Sequence, residues 1–177
     1  EMTKIATHSG KILDLAMPLQ DAICIEDIAH HLSHINRFNG ATSQPYSVAA
    51  HSVYCSWIVQ GNRHTKLSAL MHDAAEAYVG DTVTPMKEMI PQIRHFEQGI
   101  WLAICQKFDL APVLNENVKK ADVRALVTER LRLCARSPEI DALYEERFPF
   151  AQPHDHPLPV GHDSKDLFLY RYEELTI

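Results

Sequence analysis

The chain has no Cys-x-x-Cys pair, no apolar run long enough to cross a bilayer and no surplus of positive charge. Its four cysteines, Cys24, Cys55, Cys105 and Cys134, are widely scattered. That spacing excludes zinc-knuckle and thioredoxin-like motifs and fits reduced, mostly buried thiols. A membrane-spanning helix needs about 20 consecutive apolar residues, and the first residues also lack the apolar stretch of a signal peptide. A cytoplasmic location with no membrane partner is therefore expected. The net charge of −6 argues against coating a nucleic-acid polymer or an anionic membrane. It leaves room for a small phosphorylated ligand, which needs only a local group of cations. Low-complexity tracts and internal repeats are absent as well.

What is present suits one compact domain: 177 residues, 46% of them hydrophobic, enough for a sizeable core. A short extended segment is expected over 9–15. Ile25, Ile28, Ala29, Leu32 and Ile35 recur at helical spacing, and the helix they form is expected to end near Arg37 to Gly40. Ser47 is a natural N-cap for a second helix over 47–60. A third is expected over 65–79 with Gly80 as its stop, followed by a loop from Asp81 that ends where Pro85 opens the next segment. Further helices are expected over 91–107, 116–136, 138–147 and 164–175, with an irregular, proline-rich stretch over 148–159. The apolar stripe Trp57, Ile58, Trp101, Leu102 reads as core or as a face between two copies. The fold class is all-α: a single-domain helical bundle over 1–177, with a core at about 25–136 and an irregular segment and helix over 137–177.

Polar side chains interrupt one of these apolar stretches. In Leu70-Met71-His72-Asp73-Ala74-Ala75-Glu76, adjacent positions differ by about 100° around a helix, so His72 and Asp73 can both border an inward face, and Glu76 overhangs it. Inward polar groups are costly unless satisfied. A buried His–Asp pair alone is accounted for by a structural hydrogen bond. Together with helical His51 and Asp122, however, it could close around one divalent metal. Two imidazoles and two carboxylates suit Mn, Fe, Co, Ni or Zn better than Ca or Mg, with Mg still possible. His30, His31 and His34 lack a carboxylate motif and are read as surface histidines. His154, Asp155, His156, His162 and Asp163 are read as solvated or as lid residues.

The order His51, His72-Asp73, Asp122 resembles the metal-dependent phosphohydrolases of the HD-domain superfamily. Ile35-Asn36-Arg37-Phe38, the run from Met71 through Gly80-Asp81-Thr82-Val83-Thr84-Pro85-Met86-Lys87, and Val118-Lys119-Lys120-Ala121-Asp122 are similar to stretches of bacterial HD-type 5′-deoxynucleotidases. Over most of its length the chain resembles small phage and prophage HD hydrolases of the YfdR-like kind, which are related to phage dATP phosphohydrolases. The resemblance implies an HD-type helical domain and metal ligation by His51, His72, Asp73 and Asp122. It also implies a deoxynucleotide substrate, and related enzymes form homo-oligomers.

Within that frame Glu76 and Asp81 are the candidate catalytic carboxylates, with Glu76 positioning or deprotonating the attacking water. Arg37 is the best phosphate clamp, because a guanidinium matches phosphoryl oxygens in a fixed fork. Phe38 can stack on base or sugar, Thr84 and Pro85 shape the pocket wall, and Lys87 and Lys119 are secondary phosphate contacts. The expected activity is hydrolysis of the 5′-phosphoester of deoxynucleoside monophosphates. The alternatives are a dNTP triphosphohydrolase of the phage dATPase type and a non-catalytic, nucleotide-sensing scaffold. Gly40 stands where the phage dATPases carry a bulky aliphatic residue, which speaks against strict adenine selection by that device. No Gly-Tyr-Pro motif of the cyclic-dinucleotide phosphodiesterases is present.

Overall fold

The computed structural model describes residues 3–177. The hairpin β1 (Lys4–Ala6) and β2 (Ile12–Asp14) is antiparallel. It leads into α1 (Ile25–His34), α2 (Val48–Ile58), α3 (Arg63–Met71), α4 (Glu76–Val79), α5 (Thr84–Met89), α6 (Gln92–Phe108), α7 (Glu116–Leu133), α8 (Pro138–Arg147) and α9 (Ser164–Thr176). Apart from that hairpin the fold is all-α.

Helix ends follow local chemistry. Ser47 Oγ accepts the Ala50 N–H at the head of α2, Asn62 Oδ1 that of Thr65 at the head of α3, and Asp163 Oδ1 those of Lys165 and Asp166 at the head of α9. Each supplies an acceptor that the first turn lacks. Pro85 and Pro138 sit in the first turns of α5 and α8, where no intrahelical N–H is needed. Gly80 ends α4 at φ +84°, a backbone angle that a side chain would strain.

α2 is the central post. It is buried from Val48 to Ser56, as expected for a helix without a polar face, and packs against α1, α3, α7 and α9. The main core joins Ile28, Leu32, Val53, Leu70, Ile100 and Ile104. A second cluster joins Tyr54, Cys55, Ala69, Val118 and Ala125 from α2, α3 and α7. The core extends beyond residues 25–136, because the hairpin adds Leu13 and α9 adds Phe168 and Leu175. Of the apolar stripe, Ile58 and Trp101 are buried, Trp57 is half-buried and Leu102 is exposed.

Three helices stop earlier than their apolar periodicity predicts. α1 ends at His34 because the chain turns extended to pair with the approach to α2: Arg37 N–H donates to Tyr46 O and Val48 N–H to Ile35 O, each 2.9 Å. α7 ends at Leu133, where Ser43 N–H donates to Leu133 O and Thr42 bridges Cys134. Arg136 therefore lies outside α7 and pairs with Asp141.

The third departure falls on the conspicuous pair. The helix expected over 65–79 is broken, and His72–Ala75 belong to neither α3 nor α4. His72 keeps helical angles, but the hydrogen bonds now span three residues: Ala74 N–H to Met71 O, Glu76 N–H to Asp73 O and Ala77 N–H to Ala74 O. This tightening toward three residues per turn brings positions i and i+3 into line. Glu76 is thereby stacked over Asp73.

Candidate metal and substrate site

His51 lies one turn into α2, fully buried. Its Nδ1 is 2.7 Å from Glu129 Oε1; a carboxylate oxygen accepts, so Nδ1 donates and Nε2 faces the centre. His72 does the same with a carbonyl, its Nδ1 donating to Ala69 O at 2.8 Å. The two Nε2 atoms are 3.4 Å apart. Asp73 Oδ2 is 3.4 Å from His51 Nε2 and 3.3 Å from His72 Nε2, and Asp122 Oδ1 is 3.3 Å and 3.6 Å from the same atoms. Tetrahedral ligation with bonds of about 2.0–2.1 Å gives donor separations of about 3.3–3.4 Å. The donor set and its spacing fit a divalent cation, and the buried Glu76 Oε2 beside it has no hydrogen-bond partner.

Cys55, one turn after His51, completes a group with His51, His72 and Asp122 whose ligand atoms all lie within 4.8 Å of one another. Its Sγ is 3.5 Å from His51 Nε2 and 3.9 Å from Nδ1. Near-equal distances to both nitrogens put the sulfur beside the ring rather than in front of Nε2.

The electrostatics call for positive charge at this centre. Burial opposes protonation of His72, but Asp73 and Asp122 outweigh it and push the imidazole up to about 10. His51 is also raised, against burial and Arg37, with Cys55, Glu129 and Asp122 on the other side. Burial works against ionised Asp122, yet hydrogen bonds from His51 and His72 hold its carboxyl well below the usual range.

Glu76 opens α4 and is buried. Its Oε1 takes Lys87 Nζ at 3.0 Å, and Lys87 also reaches Glu97 on α6 at 2.9 Å. Burial, then Asp73 and Asp81, push Glu76 up to about 8 against the pull of Lys87. Asp81 is half-buried. Burial raises it, Arg37 opposes, and Asp73 adds to the rise.

Arg37 is buried just beyond α1. Nε donates to Glu129 Oε2 at 3.0 Å, and one terminal nitrogen is 3.8 Å from Asp73 Oδ2. Phe38 and Asn39 adopt left-handed angles, φ +55° and +51°, and the half-buried Phe38 ring lies 5.4 Å from the Arg37 guanidinium. Thr84 and Pro85 are exposed at the head of α5, one turn from Lys87. Lys119 is not brought to the centre; it is exposed and pairs with Glu116 at 2.7 Å. His31 is spent on structure, its Nδ1 donating to Ala77 O and its Nε2 accepting from His8 N–H, while His30 stacks on His8.

Sequence reasoning missed Glu129, Glu97, Tyr46 and Cys55. A signal for Glu129 existed: it follows Asp122 by two turns on the same helix and so shares its face. Nothing local marks Glu97.

No profile of a known protein family matches the chain. It is 43% identical over 129 residues to the uncharacterized protein YfdR of Escherichia coli K12, covering 73% of this chain and 71% of that protein. It is 37% identical over 134 residues to an uncharacterized protein of Rhodobacter capsulatus, covering 71% and 67%. Among solved structures it matches the cyanophage S-2L HD phosphohydrolase DatZ, bound to dA and one catalytic Zn2+ ion, with a TM-score of 0.53 and 20% identity over 83% of this chain and 93% of that one. The chain thus belongs to the YfdR family and carries the HD-phosphohydrolase fold.

Proposed function

We propose that this chain is a metal-dependent deoxyribonucleotide phosphohydrolase that cleaves the 5′-phosphoester of deoxynucleoside monophosphates, giving deoxynucleoside and phosphate. The observation that carries this reading is that one oxygen each of Asp73 and Asp122 lies 3.3–3.6 Å from the Nε2 atoms of both His51 and His72, with a buried Arg37 beside them. Those four residues would hold one divalent metal: Co, Mn, Zn, Ni, Fe or, less suitably, Mg. When bound, such a metal lowers the pKa of water and offsets charge on a phosphoryl oxygen.

Glu76 is the base in this reading. Its Oε2 has no partner and is free to take the proton of the attacking water, while Lys87 on Oε1 fixes the carboxylate and offsets part of the rise caused by burial, Asp73 and Asp81. Asp81, raised by burial, is suited to hand a proton to the departing 5′-oxygen. The terminal nitrogens of Arg37 take phosphoryl oxygens. Phe38 offers a face to the sugar or base, and Thr84 and Pro85 form the outer wall. Lys119 is given no role in this reading, being exposed and paired with Glu116 in the structure. DatZ, which shares the fold, is bound to dA and one catalytic Zn2+ ion, which supports a deoxynucleoside-containing substrate.

The test is a product assay on dNMPs, dNTPs and ribonucleotides with added Mn, Co, Mg or Zn. Release of phosphate from dNMPs is expected. Release of triphosphate from dNTPs would replace this reading with a triphosphohydrolase, and nucleotide binding without turnover would replace it with a sensing scaffold.

A further inference from the structure

We propose that Glu129 is the positioning residue of this site: a single buried carboxylate fixes both the His51 imidazole and the Arg37 guanidinium, so the metal-binding and anion-binding halves share one support. The inference rests on the metal-site reading above. Glu129 on α7 is fully buried. Its Oε1 accepts from His51 Nδ1 at 2.7 Å and from Tyr46 Oη at 3.0 Å, and its Oε2 accepts from Arg37 Nε at 3.0 Å. The three donors come from α2, from the approach to α2 and from the turn after α1, segments brought together only by folding.

Each bond has a directional consequence. A carboxylate on Nδ1 fixes the ring plane and turns Nε2 toward the centre, the usual support for a ligating histidine. Arg37 Nε is the guanidinium donor on the stem side. Engaging it leaves the two terminal nitrogens as a fork, one of them 3.8 Å from Asp73 Oδ2. Loss of the carboxylate therefore frees two groups at once, the His51 ring and the Arg37 guanidinium. An amide cannot replace it: glutamine has one acceptor oxygen for three donors, and its NH2 would face a donor.

The experiment measures Zn2+ affinity by competition with a chromophoric chelator, well below the melting temperature. Glu129→Gln is expected to bind Zn2+ about 10–100-fold more weakly than wild type. Glu129→Asp keeps the charge that compensates buried Arg37 and so protects folding, but it is one methylene too short to reach His51; it is expected to lose affinity in the same range. Phe168→Leu, a core change on α9 outside the donor set, is expected to lower the melting temperature without changing Zn2+ affinity. If wild type binds and both Glu129 variants bind within about threefold of it, Glu129 is only structural and this inference falls alone. If wild type itself binds no Zn2+, Mn2+ or Co2+, the proposed function falls and takes the inference with it.

Discussion

Acid should unpin the hairpin through one residue, Asp27. It sits in the first turn of α1 with 0% exposure and accepts from Ser9 N–H at 2.7 Å, Ser9 Oγ at 2.8 Å and Cys24 Sγ at 3.2 Å. Burial alone would raise its pKa, but hydrogen bonds from Thr7, Ser9 and Cys24 win and hold it at about 2 against an ordinary 3.8. At about 1.4 kcal/mol per pH unit, that gap is worth about 2 kcal/mol of stability. The folded value lies below the unfolded one, so the contribution is complete above about pH 5 and is lost as pH falls through 4 toward 2. Asp27→Asn keeps the shape and removes the titration. Urea unfolding of both proteins at pH 6, 4, 3 and 2.5 should give a gap near 2 kcal/mol at pH 6 that closes toward the acid end. A gap that stays constant with pH would refute the reasoning. The pin matters for the site because the hairpin loop also carries His8, which donates to His31, which in turn donates to Ala77 beside Glu76.

Other outcomes can be checked independently. Asp73→Ala should abolish both metal content, by elemental analysis, and hydrolysis; full turnover without metal would remove the site assignment. Saturating metal at about 100 times its Kd should stabilise the fold by about 2.7 kcal/mol, or roughly 5–10 °C in melting temperature for a chain of this size, and chelation should reverse it. Lys87→Met removes the cation that lowers Glu76, so the acidic limb of the pH–rate profile should move up and the rate at pH 7 should fall; an unmoved limb would exclude Glu76 as the base.

How far the residues could be read without coordinates depended on how local the cause was. α5 and α8 follow from prolines that act within one turn, whereas Asp163, which reads as a solvated or lid residue, is in fact the cap of α9. The four converging side chains at 51, 72, 73 and 122 could be picked out because polar residues on apolar faces are costly and stand out. The break at His72 could not. Nothing in Ala74-Ala75 forbids a continuous helix, and helix propensity there is high; the break lets α4 pack on α1 and α6, elements distant in sequence. The Lys87–Glu97 pair was hidden for the same reason: each residue alone looks like one more charge on a solvated helix. Glu129 goes unread despite its place two turns after Asp122, because Thr128, Glu129 and Arg130 give no local sign that all three are buried.

The burial of α2 on every side has a consequence in time as well as space. Amides of Val53–Cys55 should exchange only in the largest openings of the fold, whereas α5, which has no buried residue, can open on its own. Hydrogen exchange should therefore set a slow helix carrying His51 against a fast α5 carrying Lys87. An ion entering from solvent would meet the part-exposed carboxylates of Asp73 and Asp122 first and the fully buried His51 last.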